Sequence, residues 1–396
     1  MRQRGTFSSF IVRLAIAATG VGVAVMILAL AFITGFRHTI RDKLFSFWGE
    51  VLVVNYDPYA SEIVSSVPIK KDARLEQQLR AMPEAEQVAP FALRPAILQA
   101  GDVMEGIRLK GVPQDFKFPA SITFTGAPLT YPDTAYGQGI ILSQTTATRL
   151  NVKAGDVLLT YFMEPGAPPR VRKLSIAGLY HTGMEEVDKS FALADIRLVQ
   201  KLAGWEPQQV SGYQVTLRDP LLADTMAAQI HDRYLAAPVT ARSVPEIFEG
   251  VFGWLGMLSV NQRVLLIILS LVAIINLSAA VIILMVDRAV MLGLLQALGM
   301  PAGNLWQLFG WVSAIIGFSG VLLGNVLALG IAWAQSAFGF IKLPEETYYV
   351  RTAPVQVVWW HVLAVDAGTL ALCVICTALP LLYIRRIHPA RVLSFR

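Results

Sequence analysis

Four long apolar runs, separated by polar segments, dominate the pattern of this chain. A helix that crosses a bilayer needs roughly 20 apolar residues, and runs of that kind occupy residues 14–36, 264–286, 306–333 and 359–384. Gly299, Pro301 and Gly303 interrupt the uncharged stretch before the third run, so we expect a short segment and a turn there. The pattern predicts four transmembrane α-helices.

A stretch of different character separates the first two runs. From residue 37 to residue 258, short alternating apolar segments are punctuated by Gly and Pro, which is typical of a folded α+β domain. Ser143 is the expected N-cap of one helix, and Asp219 precedes Pro220, a favoured first-turn residue, at the start of another. We expect strands at residues 51–55, 87–93, 106–111, 140–142, 156–161, 172–180 and 212–217, and helices at 72–82, 144–150, 194–202 and 221–235.

The predicted fold class is therefore a multi-pass membrane protein with four transmembrane α-helices and a large α+β extracytoplasmic (periplasmic) domain between helices 1 and 2. Both tails are rich in Arg, and basic residues flanking short segments stay in the cytoplasm, so we expect an inner-membrane protein with both termini cytoplasmic. The segments are a tail with helix 1 (1–36), the periplasmic domain with helical stalks (37–258), helix 2 (259–286), a cytoplasmic helix and loop (287–305), helix 3 (306–340), a periplasmic loop (341–358), helix 4 (359–384) and a tail (385–396).

Composition agrees with this topology. Hydrophobic residues make up 55% and charged residues 15% of the chain, and the mean hydropathy is +0.53, which is too apolar for a soluble protein of this size. The net charge of +5 follows from the basic tails and does not indicate nucleic-acid binding. A cleaved signal peptide is the competing interpretation of the first run, because Ala29-Leu30-Ala31 matches a cleavage tripeptide. The run continues beyond that point, which favours a span.

Two amphipathic stretches adjoin the first and second spans. Phe36, Ile40, Leu44 and Phe47 recur at near-helical spacing after the first span, and residues 247–258 show the same pattern before the second. We expect each helix to continue out of the bilayer as a stalk. The alternative is a pair of ordinary helices lying on the membrane surface.

A hairpin with a proline-rich tip is predicted between residues 158 and 175. Pro165, Pro168 and Pro169 remove backbone donors, so we expect the tip to stay outside any sheet. Arg170 and Arg172 place positive charge beside it. The hairpin is either a protrusion that binds a soluble partner or an exposed loop protected from edge aggregation by proline and charge.

Motifs for chemistry are missing from the sequence. It contains no G-x-x-x-x-G-K-[ST] phosphate loop, its five histidines show no ligand spacing, and it has no G-x-S-x-G. We therefore expect a subunit that is not an enzyme, with no cofactor or metal of its own. Gly317, Gly320 and Gly324 fall on one side of the third span and predict close packing of that helix against a neighbour.

Four segments carry a resemblance to a known family. They read RLAIAATGVGVAVMILALAFITGF in the first span, AGLYHTGMEEVDKSFALADI in the domain, IILMVDRAVMLGLLQALGM around the inner loop and HPARVLSFR in the tail. The chain resembles the FtsX-like ABC transporter permeases and, within them, the lipoprotein-releasing branch of LolC and LolE. The resemblance covers nearly the whole chain.

The resemblance implies a function in lipoprotein release by mechanotransmission. The expected partners are ABC ATPase subunits like LolD that bind ATP and Mg²⁺, a second permease copy or paralogue, a periplasmic carrier like LolA, lipoprotein substrates and membrane lipids. The family pattern carries Arg-Glu where this chain has Val290-Met291, so either the ATPase groove has changed to match or the docking is more apolar. The resemblance assigns ATPase coupling to Arg288, Met291, Leu292, Leu294, Leu295, Leu298 and Gly299, and carrier binding to Pro165, Pro168, Pro169, Arg170 and Arg172.

We expect a substrate path along apolar residues of the first two spans. An acyl chain entering sideways from the bilayer would contact Val25, Met26, Leu28, Phe32, Phe36, Ile40 and Leu265. Two alternatives stay open at this point. One is a transducer like FtsX that activates a periplasmic cell-wall hydrolase, and the other is an efflux permease like MacB with a separate ATPase.

Overall fold

The first apolar run and the amphipathic stretch after it form one continuous helix in the computed structural model of this protein, α1 (Arg4–Trp48). The structure describes residues 4–56, 67–119, 121–133, 135–164, 167–288, 291, 294–295, 298 and 300–376. The second run likewise lies in a single long helix, α8 (Glu249–Asp287). The predicted helical continuation of both spans is confirmed.

The remaining elements follow in chain order. The other helices are α2 (Ala73–Arg80), α3 (Gln144–Leu150), α4 (Glu185–Ser190), α5 (Ile196–Leu202), a 3-10 turn (Pro220–Leu222), α6 (Ala223–Tyr234), α7 (Val244–Ile247), α9 (Ala302–Phe338), α10 (Glu345–Tyr348) and α11 (Trp359–Cys376). The strands are β1 (Val51–Asn55), β2 (Ile69–Lys70), β3 (Ala85–Ala100), β4 (Val103–Val112), β5 (Thr123–Gly126), β6 (Gly139–Ser143), β7 (Val157–Glu164), β8 (Ala167–His181), β9 (Phe191–Asp195), β10 (Gln209–Val210), β11 (Gly212–Leu217) and β12 (Val239–Ser243).

The chain divides into two units. One, which we call the helical unit, comprises Met1–Arg37, Leu255–Lys342 and Thr352–Arg396. The other, the inserted domain, comprises His38–Trp254 together with Leu343–Arg351. The predicted loop at 341–358 therefore does not form a segment of its own, since its middle part belongs to the inserted domain.

Three helices of the described residues are long and apolar enough to cross a membrane: Ser9–Trp48, Glu249–Asp287 and Gly310–Phe338. The fourth predicted span starts as a helix at Trp359 and is described as far as Cys376; the rest of it lies outside the described residues. A count of four spans stays a prediction. Helix α9 begins directly after Pro301, whose ψ of 147° is extended, so the expected turn before the third span is present.

Half of the inserted domain is a four-stranded antiparallel sheet in the order β12-β1-β11-β3. Helix α2 places Leu75 and Leu79 in the core of the inserted domain, and α6 adds Met226 and Ile230.

The two helix caps expected from the sequence are confirmed. Ser143 Oγ accepts a hydrogen bond from Thr146 N–H at 3.0 Å, and Asp219 Oδ1 accepts one from Leu221 N–H at 2.9 Å.

The other half of the inserted domain is a closed ring of strands. Strand β3 bends out of the four-stranded sheet and pairs with β4, which pairs with β9, then β6, then β8, then β7, and β7 returns to β3. Pairs β4–β9 and β6–β8 are parallel, and the other four are antiparallel. Small closed barrels fill their interior with side chains, and Leu98, Phe162 and Ala192 are each fully buried here.

Candidate functional site

Helix α1 ends inside the core of the inserted domain. Phe47 is 3% exposed and Trp48 is fully buried. Gly49 then stops the helix with φ +71°, and its N–H donates to Phe45 O at 2.7 Å. A Cβ at Gly49 would lie 2.7 Å from Val215 O of β11, so both the backbone angle and the close approach require glycine. Gly49 therefore ends α1 at a point where its backbone lies directly against β11 of the four-stranded sheet.

A group of aromatic rings surrounds this helix end, and we call it the aromatic clasp. Trp48 packs 5.1 Å from Phe191 of the ring and 6.5 Å from Phe91 of β3, measured between ring centroids. It also lies 6.2 Å from Phe248, just before α8. The clasp consists of Phe45, Phe47, Trp48, Phe91, Phe191, Phe248 and Phe252. Both helices that connect the inserted domain to spans therefore meet in one cluster.

Lys110 of β4 enters the same cluster from the ring. Its ammonium donates to Phe47 O at 2.5 Å and to Gln214 Oε1 at 2.8 Å. It lies 4.4 Å from the ring centre of Phe47 and 4.7 Å from that of Trp48, within the range of cation–π attraction. Burial lowers the pKa of Lys110 from 10.5 to about 7.

Glu50 is the acidic counterpart at this junction. Its Oε2 accepts a hydrogen bond from Leu217 N–H at 2.7 Å, its N–H donates to Val215 O and its carbonyl accepts from Val244 N–H. The side chain is 4% exposed. Burial raises the pKa of Glu50 from 4.5 to about 7, although the hydrogen bond from Leu217 lowers it in part. The junction thus contains two groups with pKa values shifted toward neutrality from opposite sides.

Lys43 ties a third segment into the inserted domain. Its ammonium donates to Gly183 O at 2.6 Å and to Tyr349 O at 3.1 Å. Tyr349 has φ +59°, a left-handed conformation that is uncommon for a residue other than glycine. The turn at 343–351 is closed by Leu343 N–H donating to Arg351 O at 2.9 Å. The segment between α9 and α11 is thereby held by the last turns of α1.

The predicted hairpin is formed by β7 and β8, but its tip differs from expectation. Pro168 and Pro169 lie within β8 rather than outside the sheet. Phe162 pairs with Arg170 and Glu164 with Ala167, so the two prolines face the single residue Met163 across the hairpin. This is a β-bulge, whose extra residue needs no ladder donor and so accepts proline. Pro165 lies outside the described residues.

Two of the predicted charges of the hairpin lie at the surface. Arg170 and Arg172 are exposed. Strand β7 pairs with β3 at residues 159–161 and 97–99, and β8 pairs with β6 from Ser175 onward. Strands β7 and β8 pair with each other as far as Glu164 and Ala167. Tyr161 Oη donates to Gln99 Oε1 at 2.6 Å and secures the base. Arg170 and Arg172 therefore lie on a two-stranded ribbon whose base is held by the bond from Tyr161 to Gln99.

The predicted packing glycines lie at helix contacts of the helical unit. A Cβ at Gly320 would lie 2.8 Å from Thr19 Cβ, and one at Gly324 would lie 2.7 Å from Val23 Cβ. Gly317 instead faces α11, since a Cβ there would meet Cys373 Sγ at 2.6 Å. Helix α9 is thus packed closely against two helices, not one.

The predicted coupling segment is apolar and exposed where the structure describes it. Met291 is 43%, Leu294 53% and Leu298 84% exposed, Leu295 is partly buried and the side chain of Arg288 is 52% exposed. Leu298 N–H donates to Leu294 O at 3.0 Å, as in a helical turn. Leu292 and Gly299 lie outside the described residues. The described part of the segment thus exposes apolar surface at Met291, Leu294 and Leu298.

The predicted substrate-path residues divide into two groups. Val25 is 39% exposed, and four others are partly exposed: Leu28, Phe32, Phe36 and Leu265. Met26, at 4% exposure, packs in a cluster with Ala24 and Val321, and Ile40 is fully buried in the inserted domain. Met26 and Ile40 therefore offer no surface to a substrate in this structure.

Comparison with known families defines the class of protein. The chain belongs to the family of the MacB-like periplasmic core domain, whose family model matches residues 13–233. The FtsX-like permease C-terminal model matches residues 263–389. Together with the long apolar helices, these matches define a multi-pass membrane permease with a large periplasmic domain.

Individual relatives narrow the class further. The lipoprotein-releasing system transmembrane protein LolC of Xylella fastidiosa is 23% identical over 413 residues, with coverage of 100% of this chain and 96% of that protein. LolC of Neisseria meningitidis is 24% identical and covers 98% and 93%. LolE of Haemophilus influenzae is 21% identical and covers 99% and 96%. The predicted resemblance to the FtsX-like permeases and to the LolC and LolE branch is confirmed.

Proposed function

We propose that this chain is the permease subunit of an ATP-driven complex that extracts lipoproteins from the outer leaflet of the inner membrane and passes them to a periplasmic carrier. The observation that carries the proposal is similarity to LolC and LolE proteins over the full length of the chain. A subunit of this kind is not itself catalytic. ATP and Mg²⁺ would be bound by separate ATPase subunits.

Force would enter at the segment from Arg288 to Met300. The exposed side chains of Met291, Leu294 and Leu298 support docking on an ATPase through apolar contact, which agrees with the loss of the Arg-Glu pair at Val290-Met291. A second permease copy or paralogue would complete the complex. Both termini would lie in the cytoplasm with the coupling segment.

The substrate would stay in an apolar environment until it is handed over. Exposing acyl chains to water costs about 0.8 kcal/mol per CH₂, so several chains would cost tens of kcal/mol. The partly exposed Val25, Leu28 and Phe32 of α1 and Leu265 of α8 support a path along these two helices. Closure of the complex would then push the lipoprotein toward the carrier.

In the proposed mechanism, displacement of α1 and α8 would move the inserted domain, and its β7–β8 hairpin would bind the carrier. Helices α1 and α8 are each continuous into the residues of the aromatic clasp, which supports transmission by rigid elements. The exposed Arg170 and Arg172 on the β7–β8 hairpin support recognition of a carrier with acidic groups. Hairpin and clasp belong to the same sheet system.

Depletion of the protein in its native cell tests the proposal. We expect lipoproteins to accumulate in the inner membrane, measured by membrane fractionation and immunoblotting of two lipoproteins. A plasmid copy of the gene must restore sorting. Normal sorting after depletion contradicts lipoprotein release and points to a transducer of the FtsX kind or an efflux permease of the MacB kind, which cell-chaining and drug-sensitivity assays distinguish.

A further inference from the structure

The last carbonyls of a helix have no partner within the helix, and one of them in α1 is taken by Lys110. The ammonium donates to Phe47 O at 2.5 Å, and a cation at a helix C-terminus also interacts favourably with the helix dipole. Lys110 therefore holds α1 by its final turn and not by a side chain that could rotate away.

Lys110 connects this helix end to both halves of the inserted domain. It belongs to β4, which pairs with β3 and β9 in the closed ring. Its second hydrogen bond, to Gln214 Oε1, reaches β11 in the centre of the four-stranded sheet. One ammonium group thus joins the helix, the ring and the sheet within a few ångströms.

Open space adjoins the same helix end. A cavity of about 650 Å³ is lined by Asp42, Phe45 and Ser46 of α1 and by Glu50. Close packing resists displacement, whereas an open cavity does not. The helix end continues through Gly49 and Glu50 into β1 of the four-stranded sheet, whereas the contacts of the clasp and of Lys110 connect it to the closed ring of strands.

Stability alone does not account for a lysine at this position. The cage of rings around it is apolar, and methionine would fill nearly the same space without burying a charge. Replacing buried charges by apolar groups of similar volume is often neutral or stabilising. The hydrogen bond to Phe47 O is what methionine cannot reproduce, and it fixes where the helix end sits.

We infer that Lys110 is a positioning residue that couples displacement of α1 to the closed ring of strands of the inserted domain. The inference rests on the proposed function, because it names one link within the proposed transmission. It predicts a variant that folds and hydrolyses ATP but no longer moves this ring of strands.

The test uses the full chain in complex with its ATPase, reconstituted in lipid nanodiscs. Spin labels at Asp102→Cys and Trp360→Cys, both at exposed positions, report the distance change between the nucleotide-free and ATP-bound states after Cys373 and Cys376 are replaced by serine. Lys110→Met should retain ATP hydrolysis and the thermal midpoint within a few degrees, while the ATP-dependent change falls at least 10-fold. The matched control is Lys201→Met, at an exposed lysine of α5.

Each outcome decides the inference. An unchanged distance response in Lys110→Met overturns the inference. If Lys110→Met loses folding and movement together, the decision falls to Gln214→Leu, which removes only the second acceptor. A wild-type distance response in Gln214→Leu then also overturns the inference. Partial loss of the response in Gln214→Leu with an unchanged thermal midpoint supports it. A wild-type complex that shows the distance change but releases no lipoprotein to a carrier contradicts the proposed function and leaves the role of Lys110 intact.

Discussion

In the aromatic clasp, Phe47, Trp48 and Lys110 are at most 3% exposed, whereas Arg170 and Arg172 on the β7–β8 hairpin are exposed to solvent. The clasp is built from aromatic rings in contact around the helix end, and the hydrogen bond from Lys110 to Phe47 O is buried among them. The hairpin presents long cationic side chains at its surface. A buried contact transmits position because close packing leaves it no freedom, while an exposed charge can adapt to a partner that comes and goes.

The largest expected effect comes from emptying the clasp. Trp48→Ala removes a fully buried ring and should cost about 4 kcal/mol in the free energy of unfolding, which lowers the thermal midpoint by about 12 °C for a domain of this size. Circular dichroism of the full chain in detergent measures it. Phe124→Ala, at a ring that is 41% exposed, is the control, and equal shifts for both would contradict a special role of the clasp.

The next effect is a minimum of stability near neutral pH. The pKa of Glu50 is raised to about 7, so between pH 4.5 and 7 the folded state holds a proton that the unfolded state has lost, and stability falls as pH rises. The pKa of Lys110 is lowered to about 7, so between pH 7 and 10.5 the unfolded state binds the extra proton and stability rises with pH. On 1.36 kcal/mol per unit of pKa, the change in stability across each pH range amounts to about 3 kcal/mol for Glu50 and about 5 kcal/mol for Lys110.

Two variants separate these slopes. Glu50→Gln should flatten the pH dependence of the thermal midpoint below pH 7, and Lys110→Met should flatten it above. Subtraction of the wild-type curve removes the contributions of the titrating groups that the wild type and the variant share. If the thermal midpoint of Lys110→Met follows the wild-type curve from pH 7 to 10.5, the pKa of Lys110 in the folded wild type is not lowered.

A smaller effect is expected at the hairpin, and it concerns binding instead of folding. Reversing Arg170 and Arg172 to Glu should weaken carrier binding about 30-fold, equivalent to about 2 kcal/mol, with no shift of the thermal midpoint. Fluorescence anisotropy with the purified carrier at two salt concentrations measures it. Lys201→Glu serves as the charge control. Unchanged affinity in the double variant assigns the carrier site elsewhere.

The smallest effect is expected at the tie between α1 and the 343–351 segment. Lys43→Met removes two hydrogen bonds to carbonyl groups and should cost about 1 kcal/mol. Hydrogen exchange of the Leu343 amide, which donates to Arg351 O, should accelerate about 5-fold. The exchange rates of β1 amides are the internal control, since a general acceleration would indicate global destabilisation.

Local patterns predicted the elements that depend on local chemistry. Strand β1, helix α3 and strand β11 have the predicted bounds, because each combines clear apolar patterning with a cap or a turn. Strand β9 was missed, and residues 194–195 were assigned to the following helix. All five residues of β9 are buried between β4 and β6, so it lacks the alternation that identifies a half-exposed strand.

The contact between Lys110 and the end of α1 could not be predicted for a related reason. In the segment 106–111, Lys110 alternates with Ile107 and Leu109, which is the pattern of a solvent-facing lysine on a strand. The end of α1, more than sixty positions earlier in the chain, covers that face together with Gln214 of β11. Residues that are distant in sequence create the site, and no local spacing reports it. The hairpin, whose strands are adjacent, was predictable except for its bulge.

The closed ring of strands limits how far the strands of the inserted domain can shift their register. An open sheet under load can slip by one pair of residues and still satisfy most of its backbone, whereas each strand of the ring has a paired neighbour on both sides. A one-residue slip would turn buried side chains outward and would have to propagate around all six strands. The ring therefore resists a change of strand register, and in the proposed mechanism it would bring the domain back to the same arrangement after each ATP-driven cycle.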